Sequence, residues 1–350
     1  WIKIVKIAII TDTHFGARND SVQFDEYFYQ FYEGQFFPYL QKHNIKTVIH
    51  LGDVLDRRKF VSYRIAKNFR ERFILPFQAL DIELHALVGN HDIFYKNTND
   101  VNSLQELISE RYKKIHLYPE AQEVTFDGLP ILFMPWINSQ NYIYAMGMID
   151  ETKADICMGH LDINGFKMNK TAIVSEHGYP KETFKRFETV FTGHFHHKSD
   201  DGQIFYLGTP YELYWNDYND PKGFHIFDTD TREMLPVHNP LTMFEKAFYN
   251  DTEETFESIA NDDYEKYRGK FVKVIVIEKE NPYWFDTFLD KLHGVNPLHV
   301  SVVDDNKHMD FFDDEEIENV EDTLTILSKY VDGLEIQGKK KELDKIKFRI

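Results

Sequence analysis

A layered α/β architecture is what this 350-residue sequence predicts, and three observations predict it. Apolar, strand-like runs recur through the first 235 residues, helix-like stretches separate them, and five of the runs end in a burst of Asp, His or Asn. The bursts are Asp12-Thr13-His14, Gly52-Asp53-Val54-Leu55-Asp56, Gly89-Asn90-His91-Asp92, Gly159-His160 and Gly193-His194-Phe195-His196. In an open α/β sheet the loops after successive strands converge on one crevice at the carboxyl ends. Asp12, His14, Asp53, Asn90, His160, His194 and His196 can therefore surround one point. Seven oxygen and imidazole donors exceed the needs of one ion and suit two.

Taken in order, the first strand ends at Ile10; Lys3 and Lys6 within it exclude a signal peptide or membrane span. Phe24 to Leu40 is helix-like and aromatic on more than one face, which fits core packing or a dimer contact. Arg64 to Leu80 is a second helix. Gln203–Pro210 and Gly223–Asp228 read as closing strands. A boundary near Pro236 to Pro240 ends this first domain, at residue 235. Residues 236–303 form a small capping unit of one βαβ: a strand at Lys270–Ile277, a helix at Trp284–Leu292 and a strand at Leu298–Val303. Residues 304–319 are an acidic linker; from Asp304 to Asp322 there are ten acids and one Lys. Residues 320–350 form a helical hairpin with Leu324, Leu327, Val331, Leu343 and Ile346 on its apolar stripes. Its separation from the core favours a docking partner over an intramolecular cap.

Composition narrows the chemistry. A formal charge of −18 argues against backbone-wide nucleic-acid binding, but many acids sit in the linker or at the motif loops. Charge alone therefore neither supports nor excludes such a substrate. The single Cys157 rules out a disulfide framework and a thiolate-rich zinc site, and points to a reducing, cytoplasmic setting. Opening on Trp1 without Met reads as a trimmed chain. His43, His50, His85, His177, His225, His293, His299 and His308 match no motif and read as ordinary core or surface residues, and His197 as structural.

Carboxylate, amide and neutral imidazole donors suit manganese, with iron and zinc also accommodated. Asp53, central in the order of strands, is the natural bridge between two ions about 3.5–4 Å apart, a clamp suited to phosphate esters. His91 is free to steady a scissile phosphate or protonate a leaving oxygen, with Asp92 orienting it. Arg57, Arg58 and Lys59 follow the metal-binding turn; with Arg18, Lys167, Lys170 and Lys198 they read either as DNA-phosphate contacts or as solvated cations.

The five motifs, in this order, resemble those of the calcineurin-like metallophosphoesterases. Gly52-Asp-Val-Leu-Asp56, Asp92, Gly193-His-Phe-His196, Tyr206-Leu-Gly-Thr-Pro210 and Lys222-Gly-Phe-His-Ile-Phe227 are similar to SbcD-type nuclease subunits, and Asn164-Gly165-Phe166 to their tailed-phage counterparts. The resemblance implies two packed sheets flanked by helices, a small α+β capping domain and C-terminal helices that grip an SbcC-type ABC ATPase. It also implies two Mn2+ per chain, with magnesium or iron as substitutes. The first ion would take Asp12, His14, Asp53 and His196; the second would take Asp53, Asn90, His160 and His194; His91 is the catalytic histidine. Asp56 stands where archaeal and eukaryotic relatives carry a second catalytic histidine, and is expected to partner Arg57 or a ligand histidine.

The implied activity is DNA cleavage, exonucleolytic on duplex ends and endonucleolytic on single strands, by a homodimer in the cytoplasm, the host's for a phage protein. The competing expectations are a phosphoprotein phosphatase, a cyclic-nucleotide phosphodiesterase, or a non-enzymatic, metal-bound adaptor for an ATPase.

Overall fold

The computed structural model describes residues 6–108, 111–170 and 172–304. The first four strands, β1 (Lys6–Ile10), β2 (Thr47–His50), β3 (Glu83–Leu87) and β4 (Ile115–Tyr118), run parallel side by side. The next six are β5 (Gln122–Phe126), β6 (Leu129–Met134), β7 (Ile156–His160), β8 (Thr189–Gly193), β9 (Ser199–Asp200) and β10 (Ile204–Tyr206). They form a second sheet ordered β5-β6-β7-β8-β10-β9. The chain then returns to the first sheet through antiparallel β11 (Gly223–Asp228) and β12 (Met234–His238), giving the order β12-β11-β1-β2-β3-β4.

The two sheets pack face to face because their central strands are apolar on both sides. Ile7, Ile9, Ile49 and Leu87 of the first sheet meet Ile131, Phe133, Met158 and Phe191 of the second. Alternation turns Ala8, Ile10, Val48 and Ala86 the other way, into the aromatic helices. On the far side of the second sheet, Leu132, Cys157 and Val190 pack on Ala145 and Ile149 of the helix Tyr142–Glu151. The result is four layers, helix–sheet–sheet–helix. No helix among the described residues is long and apolar enough to cross a membrane.

Both long helices are interrupted. Val22–Phe31 passes through a π turn, Tyr32–Phe36, into Phe37–Lys42; Tyr63–Asn68 passes through another, Phe69–Ile74, into Leu75–Ala79. A π turn holds an extra residue, so the apolar stripe shifts phase. That shift lets Phe28, Phe31, Tyr32, Phe36 and Phe37 all be buried, against Phe73, Phe77, Tyr211 and Phe224 of the same chain. Core packing within the chain accounts for these five aromatic side chains.

A third sheet holds three parallel strands, β13 (Phe244–Asn250), β14 (Phe271–Glu278) and β15 (His299–Asp304), with Phe256–Asn261 and Pro282–Gly294 as crossover helices. The single βαβ unit read from the sequence is thus two, β13 and its helix having been overlooked. The expected boundary at Pro236 falls inside β12, where Pro236 lies opposite His225. Proline is tolerated there because β12 is an edge strand with one side free of ladder bonds. The acidic linker and Leu324, Leu327, Val331, Leu343 and Ile346 lie outside the described residues.

Glu212 joins the sandwich to the third sheet: its carboxylate accepts the backbone N–H groups of Met243 and Phe244. Burial pushes its pKa up to about 7, against the opposing pull of those two bonds. A carboxyl raised in the folded state stabilises below its unfolded value of about 4.3, and that stability is lost as pH rises through 7. The loss is on the order of 3 kcal/mol. Urea unfolding at pH 5 and pH 8 is expected to show this slope in the wild type and a flatter one in Glu212→Gln.

Candidate metal centre

Every predicted ligand leaves the carboxyl end of a strand or the turn just after it. Asp12 and His14 follow β1, Asp53 follows β2, Asn90 follows β3, His160 ends β7, and His194 and His196 follow β8. Parallel pairing of β1 with β2, of β2 with β3, and of β7 with β8 brings these ends together across the two sheets. Close approach requires glycine before the ligand. A Cβ on Gly89 would lie 2.2 Å from Asp53 Oδ1, and one on Gly193 would lie 2.0 Å from Thr11 Oγ1. Asp12, His14, Asp53 and His194 all adopt positive φ, between 44° and 88°. Such backbone costs about 1–3 kcal/mol per residue and concentrates at functional sites.

The side chains converge in two nests that share Asp53. In the first, His14 Nε2 is 3.2 Å from His196 Nε2 and 4.0 Å from both Asp12 Oδ1 and Asp53 Oδ2. In the second, His160 Nε2 is 3.2 Å from Asp53 Oδ2 and 2.9 Å from Asn90 Oδ1, which is also 2.9 Å from His194 Nδ1. Donors bound at ~2.1 Å around one cation lie roughly 3–3.5 Å from each other, so most of these spacings match a ligand shell. The donor set of carboxylate, amide and imidazole fits two hard-to-borderline divalent ions.

Outer contacts aim the ligands. His160 Nδ1 donates to the Leu51 carbonyl at 3.0 Å, which leaves Nε2 for a cation. His14 Nδ1 faces Asp56 Oδ1 at 3.5 Å, so Asp56 serves a ligand histidine. Arg57 turns elsewhere, to Asn19 Oδ1 and Asp20. Thr11 Oγ1 donates to Asp12 Oδ2 at 2.7 Å. Lys222, buried between Asp217 and Asp220, donates to the His196 carbonyl at 2.8 Å.

Electrostatics follow. Burial alone would raise the Asp53 carboxyl, but His160, His91 and His14 hold it well below the usual range. Burial opposes charge on His14 and His160, yet the surrounding carboxylates outweigh it and push them up to about 10 and about 9. Burial lowers His194 to about 3. Metal binding at these ring nitrogens would displace any proton they carry.

His91 sits beside the first nest, its ring 4.8 Å from that of His14 and edge-on to it. Its backbone N–H donates to Asp53 Oδ1 at 2.7 Å, and its Nδ1 is 2.6 Å from the Asp56 carbonyl. With Nδ1 donating there, Nε2 is left for a substrate. The expected contact with Asp92 is absent. Asp92 points inward and accepts backbone N–H bonds from Val54, Leu55 and Gly89, at 2.9–3.3 Å. Residues adjacent in a tight turn face opposite ways, and here Asp92 clips the second motif loop to the third. Burial raises its carboxyl to about 6. Asp92→Ala is expected to cost about 3 kcal/mol in chemical unfolding, since it strands three buried donors. A role confined to tuning His91 would instead leave stability unchanged and move only the pH–rate profile.

Among the cations, Arg58 Nε donates to the Asn90 carbonyl at 2.8 Å and is half-buried, so it braces the third motif loop rather than reaching into solvent. The Arg18 guanidinium lies over the Phe24 and Tyr214 rings, and that of Arg57 over Phe60. Lys59, Lys167 and Lys198 are exposed, and exposed Lys170 bonds to the Asn219 carbonyl. His197 pairs with Asp220 at 2.9 Å, away from the nests. Sequence reading missed Trp136, whose indole lies 5.1 Å from the His194 ring and 6.0 Å from that of His160. It follows β6 as the ligands follow their strands, but its loop holds no ionisable residue to draw attention.

This arrangement, two layered sheets with Asp, His and Asn side chains gathered at their strand ends, is that of a metal-dependent phosphoesterase. Residues 5–198 match the calcineurin-like phosphoesterase family, to which the chain belongs. It is 32% identical over 337 residues to exonuclease subunit 1 of Enterobacteria phage T4, covering 94% of this chain and 93% of that one. It is 24% identical over 188 residues to the SbcD component of the SbcCD nuclease of Staphylococcus saprophyticus, covering 46% and 50%. Within the family the chain groups with the SbcD-type subunits, and it is a metal-dependent phosphodiesterase.

Proposed function

We propose that this chain is the nuclease subunit of a DNA-processing complex, hydrolysing phosphodiester bonds at a two-manganese centre. The observation that carries the reading is the pair of donor nests sharing Asp53, with His91 alongside. When bound, two divalent ions would supply charge stabilisation for the phosphoryl oxygens and lower the pKa of an attacking water. Asp12, His14, Asp53 and His196 would hold one ion and Asp53, Asn90, His160 and His194 the other. His91, its Nδ1 fixed on the Asp56 carbonyl, presents Nε2 to the scissile phosphate or the leaving oxygen. Trp136 covers the second nest with an apolar wall.

DNA as substrate is supported by the nuclease names of both relatives. Lys59, Lys167 and Lys198, exposed in the loops that follow β2, β7 and β8, would contact DNA phosphates. Phe60, 62% exposed beneath Arg57, offers a face for an unpaired base. Both duplex-end exonuclease and single-strand endonuclease activity fit such a rim. An SbcC-type ATPase, held by residues 320–350, would open the duplex and bring the basic surface that a chain of charge −18 lacks. This setting is cytoplasmic.

The test offers duplex DNA, single-stranded DNA, a phosphopeptide and a cyclic nucleotide to the manganese-loaded chain, with and without the cognate ATPase. DNA cleavage with little phosphopeptide or cyclic-nucleotide turnover is expected. Phosphatase or cyclic-nucleotide activity without DNA cleavage would refute the nuclease reading.

A further inference from the structure

A second donor cluster lies away from the dinuclear centre, on β3 and β4. Glu83 and His85 alternate onto one face of β3, and parallel register sets His116 of β4 opposite His85. One donor atom from each of Glu83, His85 and His116 lies within 4.8 Å of the others. The two imidazoles stack with centroids 4.7 Å apart, and His85 Nε2 is 3.9 Å from Glu83 Oε2. His85 precedes Asn90 by five residues, about 15 Å of extended chain, so this cluster stands apart from the catalytic nests.

A second observation points to a ligand. His85 is only 6% exposed, and its Nε2 has no hydrogen-bond partner among the described residues. Its Nδ1 is already engaged, 2.7 Å from the Tyr118 hydroxyl. In the tautomer whose Nδ1–H donates to that oxygen, Nε2 offers its lone pair on the side of Glu83 and His116, as in histidine–metal sites whose far nitrogen is fixed by a hydrogen bond. Leaving a buried acceptor unmade costs about 1–3 kcal/mol. Glu83 and His116 reach solvent at the mouth, since β4 is the edge strand of its sheet. Lys114, 3.8 Å from Glu83 and 2.8 Å from Asp81, can be satisfied by Asp81 alone once Glu83 turns inward.

We propose that Glu83, His85 and His116 form a third metal site, for one zinc-class divalent ion, that staples the edge strand β4 to β3. Two imidazoles and one carboxylate make a three-ligand set for zinc, with water in the fourth place. A cation here satisfies His85 Nε2 and caps an exposed sheet edge.

The test measures zinc content of the full chain after saturation and gel filtration, comparing wild type with His116→Gln and Glu83→Gln. Both replaced side chains reach solvent, so the fold is expected to persist, checked by circular dichroism and by unchanged manganese-dependent phosphodiesterase activity. Wild type is expected to retain one more zinc per chain than His116→Gln, and Glu83→Gln to bind that ion at least 10-fold more weakly. Equal zinc content and affinity in all three would overturn the site. If His116→Gln misfolds, Glu83→Gln decides alone: unchanged zinc affinity overturns the proposal and weakened affinity supports it.

Discussion

Asp53→Asn is expected to lose both ions and lower phosphodiester cleavage roughly 10³–10⁴-fold, or about 4–5.5 kcal/mol of transition-state stabilisation. Among the described residues Asp53 is the carboxylate within 4.0 Å of a ring nitrogen in each nest: its Oδ2 is 3.2 Å from His160 Nε2 and 4.0 Å from His14 Nε2. An amide has the same shape but no charge, and one of its two positions donates rather than accepts. The substitution therefore removes a ligand from both ions and turns a donor toward one of them. It also takes away the main carboxylate that raises the pKa of His160 and, after Asp56, one that raises that of His14. Metal analysis beside a cleavage assay checks both halves. Two ions retained with normal turnover would remove Asp53 from the bridging role.

His91→Ala is expected to behave differently: metal content unchanged, and DNA cleavage reduced 10²–10⁴-fold. The imidazole is held by its own Nδ1 on the Asp56 carbonyl, so truncating it leaves both nests intact. Leaving-group chemistry separates its two roles. If His91 protonates the departing oxygen, bis-p-nitrophenyl phosphate, whose leaving group needs no proton, loses much less rate than DNA. If His91 steadies the phosphate, both substrates lose rate alike. A loss of bound manganese in His91→Ala would make it a ligand instead.

The ligand loops were legible because one rule, strand end followed by Asp, His or Asn, needs only the local sequence and parallel topology. Asp12, His14, Asp53, Asn90, His160, His194 and His196 all sit where that rule puts them. What lay between the motifs was harder to read. Strands β4, β5 and β6 and the helix Tyr142–Glu151 carry no chemical burst, and β13 has charged residues, Glu245 and Lys246, between its apolar ones. The π turns were invisible because one extra residue merely blurs a helical stripe. Asp92 was misassigned for a geometric reason: adjacency in sequence suggested a partner for His91, but the turn sends its carboxylate into the backbone of Val54 and Leu55. His85 reads as an ordinary core or surface histidine, since nothing local reveals that His116, 31 residues on, lies opposite it.

The most direct measurement is an anomalous-difference map from crystals of the manganese-loaded chain. Two peaks about 3.5–4 Å apart are expected, one on each side of Asp53, the first within bonding distance of His14 and His196 and the second of Asn90, His160 and His194. A single peak, or two that do not share Asp53, would contradict that expectation.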